Sequence, residues 1–79
     1  MTERQVLGAR LKTARLLAGY TLKEAAYELG ITPAAVSSWE NGYAEPRAIN
    51  FMTACRIYRT TPDAIFLDNG LGTVRKVEK

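Results

Sequence analysis

Between Thr2 and Leu67, apolar positions recur at helical spacing in five separate runs. The first holds Leu7, Leu11, Ala14 and Ala18; Thr2 opens it with Gln5 three residues on, a capping-box spacing, and Gly19 closes it. Thr21 and Glu24 repeat the box ahead of Leu22, Ala25, Ala26 and Leu29, which fall at i, i+3, i+4 and i+7 before Gly30. In the third run Thr32 is the cap and Pro33 takes the first helical position, where its missing N–H costs nothing. Ile31 is spaced to staple against Val36, and Asn41-Gly42 marks the end. Phe51, Ala54, Cys55 and Tyr58 give the fourth run, and Thr61-Pro62-Asp63 opens a short fifth with Ile65, Phe66 and Leu67.

No alternating strand pattern competes in residues 1–67, so the fold class is all-α, with five short helices in one compact domain. Residues 68–79, "DNGLGTVRKVEK", have two glycines and too little apolar content to pack alone. We expect a tail that is flexible or dimer-associated, the alternation in "TVRKV" leaving a strand formed on dimerisation open.

Composition narrows the function classes. A chain of 79 residues, 47% apolar and 24% charged, fits a single small soluble domain and is too hydrophobic for disorder. Cys55 is the sole cysteine, so no internal disulfide is expected, and neither a signal-peptide pattern nor a membrane-length apolar run is present. A reducing, cytoplasmic setting follows as the expectation. With no histidine, Ser-His and Cys-His nucleophilic pairs and the usual zinc sets are excluded, and we expect neither enzyme activity nor a cofactor. Glu24 and Glu28 lie one helical turn apart but lack a third ligand, which favours a solvated face over a metal site. Cys55 falls at a small position of the fourth helix, where inert packing outweighs redox sensing.

The net charge of +3 is unevenly distributed. Arg4, Arg10, Lys12, Arg15 and Lys23 outweigh Glu3 in residues 1–23, and residues 47–79 are again basic. Between them, residues 24–46 hold Glu24, Glu28, Glu40 and Glu45 and no base. Basic flanks suit a polyanionic partner such as nucleic acid, although solvated faces give similar patterns.

The second and third helices are joined by about three residues centred on Gly30, a helix-turn-helix spacing. In this setting "LGARLKTARLLAGYTLKEAAYELGITPAAVSSWENG", followed by Pro46, resembles the phage repressor/Cro type of helix-turn-helix domain, also called the xenobiotic-response-element type. Arg15 ahead of Gly19, Ala26, Gly30, Val36-Ser37 and Trp39-Glu40-Asn41-Gly42 carry the likeness, which extends to about Leu67 with the motif at about 22–41. The resemblance implies a five-helix, lambda-repressor-like domain that binds double-stranded DNA as a homodimer, its third helix (32–40) in the major groove of a palindromic operator. One position departs from it, since the family often has a backbone-contacting glutamine where this chain has Leu22.

At 100° per residue, Pro33, Ala34, Ser37, Ser38 and Asn41 share one arc of that helix, and Ala35, Val36, Trp39 and Glu40 the other. The first arc coincides with the reading positions of the family, which makes Pro33, Ala34, Ser37 and Ser38 the candidate base readers. Lacking Arg, Lys or Gln, they would rely on thymine methyls, short or water-mediated hydrogen bonds and DNA shape. Phosphate contacts carried over from the family fall on Lys12, Thr21, Asn41, Tyr43 and Arg47, and charge adds Arg10 and Lys23. The resemblance also pairs Arg15 with Glu40 across the first and third helices. Dimer contacts are expected from Ile65, Phe66, Leu67 and Leu71. No membrane association or small-molecule ligand is indicated.

The leading reading is a small transcriptional repressor. An antitoxin-type autoregulator is the nearest alternative, and the short segment after Leu67 leaves little room for a toxin-binding region. A protein-interaction module that has lost DNA contact is the other, favoured by the four glutamates of residues 24–46.

Overall fold

Four of the five helices begin at a threonine whose hydroxyl absorbs an otherwise orphaned N–H group of the first turn. Thr2 Oγ1 accepts from the Gln5 N–H at 3.2 Å while Gln5 Oε1 accepts from the Thr2 N–H at 2.8 Å, a complete capping box. Thr21 and Glu24 make the same reciprocal pair. Thr32 Oγ1 accepts from the Ala35 N–H, and Thr61 Oγ1 from that of Ala64. In the computed structural model, which describes residues 1–67, the helices are α1 (Glu3–Leu17), α2 (Leu22–Leu29), α3 (Pro33–Glu40), α4 (Ala48–Ile57) and α5 (Pro62–Leu67), with no strand among the described residues. Gly30 ends α2 at φ 71°, a left-handed conformation that glycine adopts without a Cβ penalty, and so permits the tight turn into α3.

α3 packs mainly against α1 and α2. Ala25 and Ala26 are fully buried, and their small size lets neighbouring helices approach closely. Leu11, Cys55 and Ile65 form one core cluster, with Leu7, Ala14 and Phe51 against it. Ala25, Ala54 and Tyr58 form another, flanked by Tyr20, Leu29 and Ile57. No helix among the described residues is long and apolar enough to cross a membrane.

Two expectations at the end of the domain require correction. Ile65 is not a dimer contact: it is only 4% exposed, because α5 turns it inward onto Leu11 and Cys55. Phe66, one position on, is 58% exposed, and its ring is tilted at 49° to that of Phe51 with centroids 5.5 Å apart. Arg10, expected at phosphate, instead donates through Nη1 to the Ile65 and Phe66 carbonyls at 2.9 and 3.0 Å. A cation at carbonyls of the last turn of α5 also opposes the negative end of its dipole. The Leu67 side chain, Leu71 and the rest of the 68–79 tail lie outside the described residues.

Candidate nucleic-acid interface

The inner face of α3 is fixed at three places. Val36 and Trp39 are buried in the domain. Arg15 of α1 grips Glu40 in a bidentate pair, Nε to Oε2 at 2.7 Å and Nη2 to Oε1 at 3.0 Å, while its Nη1 donates to the Tyr20 carbonyl at 2.8 Å. One guanidinium thus ties α1, the α1–α2 turn and the end of α3 together. Both side chains are almost wholly removed from water, so each charge depends on the other. The hydrogen bond to Glu40 raises the Arg15 pKa against the opposing effect of burial. Nearby Tyr58 is pushed up to about 12, chiefly by burial and then by the Glu40 charge.

The third attachment is Gly8, where α1 crosses the end of α3. A Cβ at this position would collide with the Trp39 carbonyl oxygen and come within 2.7 Å of that of Glu40. Gly8 and Arg15 therefore mark the stripe of α1 that faces α3, and Lys12, at i+4 from Gly8 and i−3 from Arg15, lies on the same stripe. Unlike them it is exposed.

The outer face has the opposite character. Pro33, Ala34 and Asn41 are exposed, and Ser37 and Ser38 are half-buried. Asn41 is less available for phosphate than expected, since its Nδ2 donates to the Ser37 carbonyl at 2.8 Å and to Ser37 Oγ at 3.2 Å. Thr21 and Lys23 sit exposed at the start of α2. The Thr21 hydroxyl accepts the capping hydrogen bond from Glu24 and keeps its own proton to donate. Leu22, between them, is half-buried.

Beyond α3, Gly42 turns at φ 79° with its Cα against Gln5 of α1; a Cβ there would come within 2.7 Å of Gln5 Cγ. Arg4 Nε donates to Glu45 Oε2 at 3.0 Å, a second tie between α1 and this connection. Both side chains are more than half exposed, so the pair guides the loop more than it stabilises the fold. Tyr43 and Arg47 project from the tethered segment, and Arg47 starts α4 without a side-chain cap. Of the four glutamates in residues 24–46, Glu24 caps α2, Glu40 holds Arg15 and Glu45 holds Arg4. The acidic middle of the sequence is thus largely employed within the domain. Cys55 is buried, and desolvation raises its thiol pKa, as suits a packing residue.

Sequence reasoning missed Gly8, the α5 clasp by Arg10, the Arg4–Glu45 tie and the Asn41–Ser37 contact. Gly8 left a signal, as an isolated glycine inside a helical run, and so did Asn41, one helical turn after Ser37.

Residues 11–65 match the helix-turn-helix family, a span that holds the Arg15–Glu40 pair and the candidate reading helix together. The chain belongs to that family. The HTH-type transcriptional regulator ImmR of Bacillus subtilis (strain 168) is 40% identical over 57 residues, covering 72% of this chain and 45% of ImmR. The chain therefore spans less than half the length of that relative. Among solved structures, the clp gene regulator ClgR from Corynebacterium glutamicum superposes on this helix-turn-helix domain with a TM-score of 0.77 at 26% identity, covering 82% of this chain and 83% of that one. The P22 c2 repressor in complex with a synthetic operator has a TM-score of 0.71 at 23% identity, covering 77% and 92%, a likeness of fold. The class is one of DNA-binding regulators and generally non-enzymatic.

Proposed function

We propose that this helix-turn-helix chain is a sequence-specific DNA-binding transcriptional regulator, a small cytoplasmic repressor that occupies a palindromic operator as a dimer with α3 in the major groove. The observation that carries the reading is the contrast across α3: its inner face is anchored by the buried Arg15–Glu40 pair and Gly8, and its outer face offers small, accessible side chains.

Pro33, Ala34, Ser37 and Ser38 are the proposed readers, acting through thymine methyls, short hydrogen bonds and groove shape. Lys12, Thr21, Lys23, Tyr43 and Arg47 are the proposed phosphate contacts, which set the register of a helix that has no base of its own. Arg10 and Asn41 are left out because their donors serve α5 and Ser37. For self-association, Phe66 is joined by Ile49 and Met52 of α4, which are exposed apolar side chains, in place of Ile65.

Selection from a random duplex pool, followed by titration at several salt concentrations, tests the proposal. A recurrent palindromic site is expected, with sedimentation showing two chains per site. Arg47→Ala should weaken binding to every sequence alike and reduce the salt slope by about 0.9. Recovery of no preferred sequence would overturn the reading in favour of an interaction module.

A further inference from the structure

Asn41 spends its amide on Ser37 in a way that constrains the Ser37 hydroxyl. The Ser37 carbonyl, 2.8 Å from Asn41 Nδ2, can only accept, so it fixes which end of the Asn41 amide is the nitrogen. That nitrogen can only donate, so Ser37 Oγ, 3.2 Å away, is the acceptor of the second bond. The hydroxyl proton of Ser37 then points away from Asn41, and no described residue takes it. Ala34 stands at i−3 from Ser37, exposed on the same face of α3.

We infer that Asn41 sets Ser37 as a hydrogen-bond donor and that Ser37 and Ala34 together read the major-groove edge of a thymine. Ser37 donates to thymine O4, and the Ala34 methyl packs on the C5-methyl group. The inference rests on the proposed major-groove role of α3. Thymine presents an acceptor and a methyl side by side, whereas cytosine presents an amino donor and no methyl. Adenine and guanine offer N7 acceptors but nothing for Ala34 to cover. Asn41 is thereby a positioning residue that acts through Ser37, with no need of a phosphate contact.

The test uses the full chain and the operator recovered by selection. Each thymine of a half-site is replaced in turn by deoxyuridine, which keeps O4 and loses the methyl, or by 5-methyldeoxycytidine opposite guanine, which keeps the methyl and replaces O4 by an amino donor. At one thymine per half-site, deoxyuridine should weaken binding about fourfold and 5-methyldeoxycytidine roughly tenfold. Asn41→Ala should shrink the 5-methyldeoxycytidine penalty at that position, leave the deoxyuridine penalty in place and leave the salt slope unchanged. Because this change also removes a cap from α3, Ser37→Ala, which raises helix propensity, is the second variant and should likewise lose the 5-methyldeoxycytidine discrimination. The inference is overturned if Asn41→Ala weakens all duplexes by one factor and lowers the salt slope, the behaviour of a phosphate contact, or if Ser37→Ala keeps the discrimination. Absence of any selected sequence for the unaltered chain would instead overturn the groove reading beneath it.

Discussion

On the inner face of α3, Val36 and Trp39 are buried and Glu40 is bound twice by one guanidinium; on the outer face, Pro33 and Ala34 touch water and Ser38 makes no side-chain hydrogen bond to a described residue. Stability and recognition are thus assigned to residues next to one another in sequence but on opposite sides of a helix of 8 residues. The inner set determines where the helix sits. In the proposed function, the outer set determines only what it discriminates once it is there, so a reading surface of Ala and Ser can suffice if the frame is rigid and its neighbours supply the charge.

Substitutions on the inner face should break that division most severely. Glu40→Ala leaves the Arg15 charge buried without its partner and should cost about 3–5 kcal/mol, read as a lower urea midpoint. Most of the stability of so small a domain would be consumed. Gly8→Ala places a methyl against two backbone carbonyls that cannot rotate away, so α1 and α3 must separate. Its expected cost is about 1–3 kcal/mol in thermal or chemical unfolding, with weaker DNA binding.

The frame also carries a pH signature. Tyr58 is held at about 12 against an ordinary 10, so its neutral form is favoured in the folded state. Its contribution is complete below pH 10 and is lost as pH rises toward 12. Unfolding midpoints should therefore fall over that interval, and Tyr58→Phe should flatten the fall.

How far the sequence discloses each face depends on the range of the interactions that build it. The caps at Thr2, Thr21, Thr32 and Thr61 were legible because a cap and the N–H it accepts lie three residues apart. The two arcs of α3 were legible for a similar reason, helical spacing being local. The Arg15–Glu40 pair spans 25 residues and was reached only through the family resemblance. Ile65 was misassigned because α5 has 6 residues, too few for periodicity to fix an inward face; that face is chosen by Leu11 and Cys55. Arg10 was misread because its partners are backbone carbonyls, to which side-chain identity gives no clue. Asn41 lies four residues from Ser37, a local contact, yet the resemblance directed attention to phosphate instead.

The smallest expected effect on stability belongs to the outer face, where the proposed effect on recognition is large. Ala34→Glu adds a carboxylate at an exposed position of the first turn of α3, and the free energy of unfolding should change by no more than about 0.5 kcal/mol. Footprinting of this variant on the operator selected by the unaltered chain tests the central claim most directly. With α3 in the major groove, the footprint should disappear while the domain stays folded. An unchanged footprint on the same site would contradict the account.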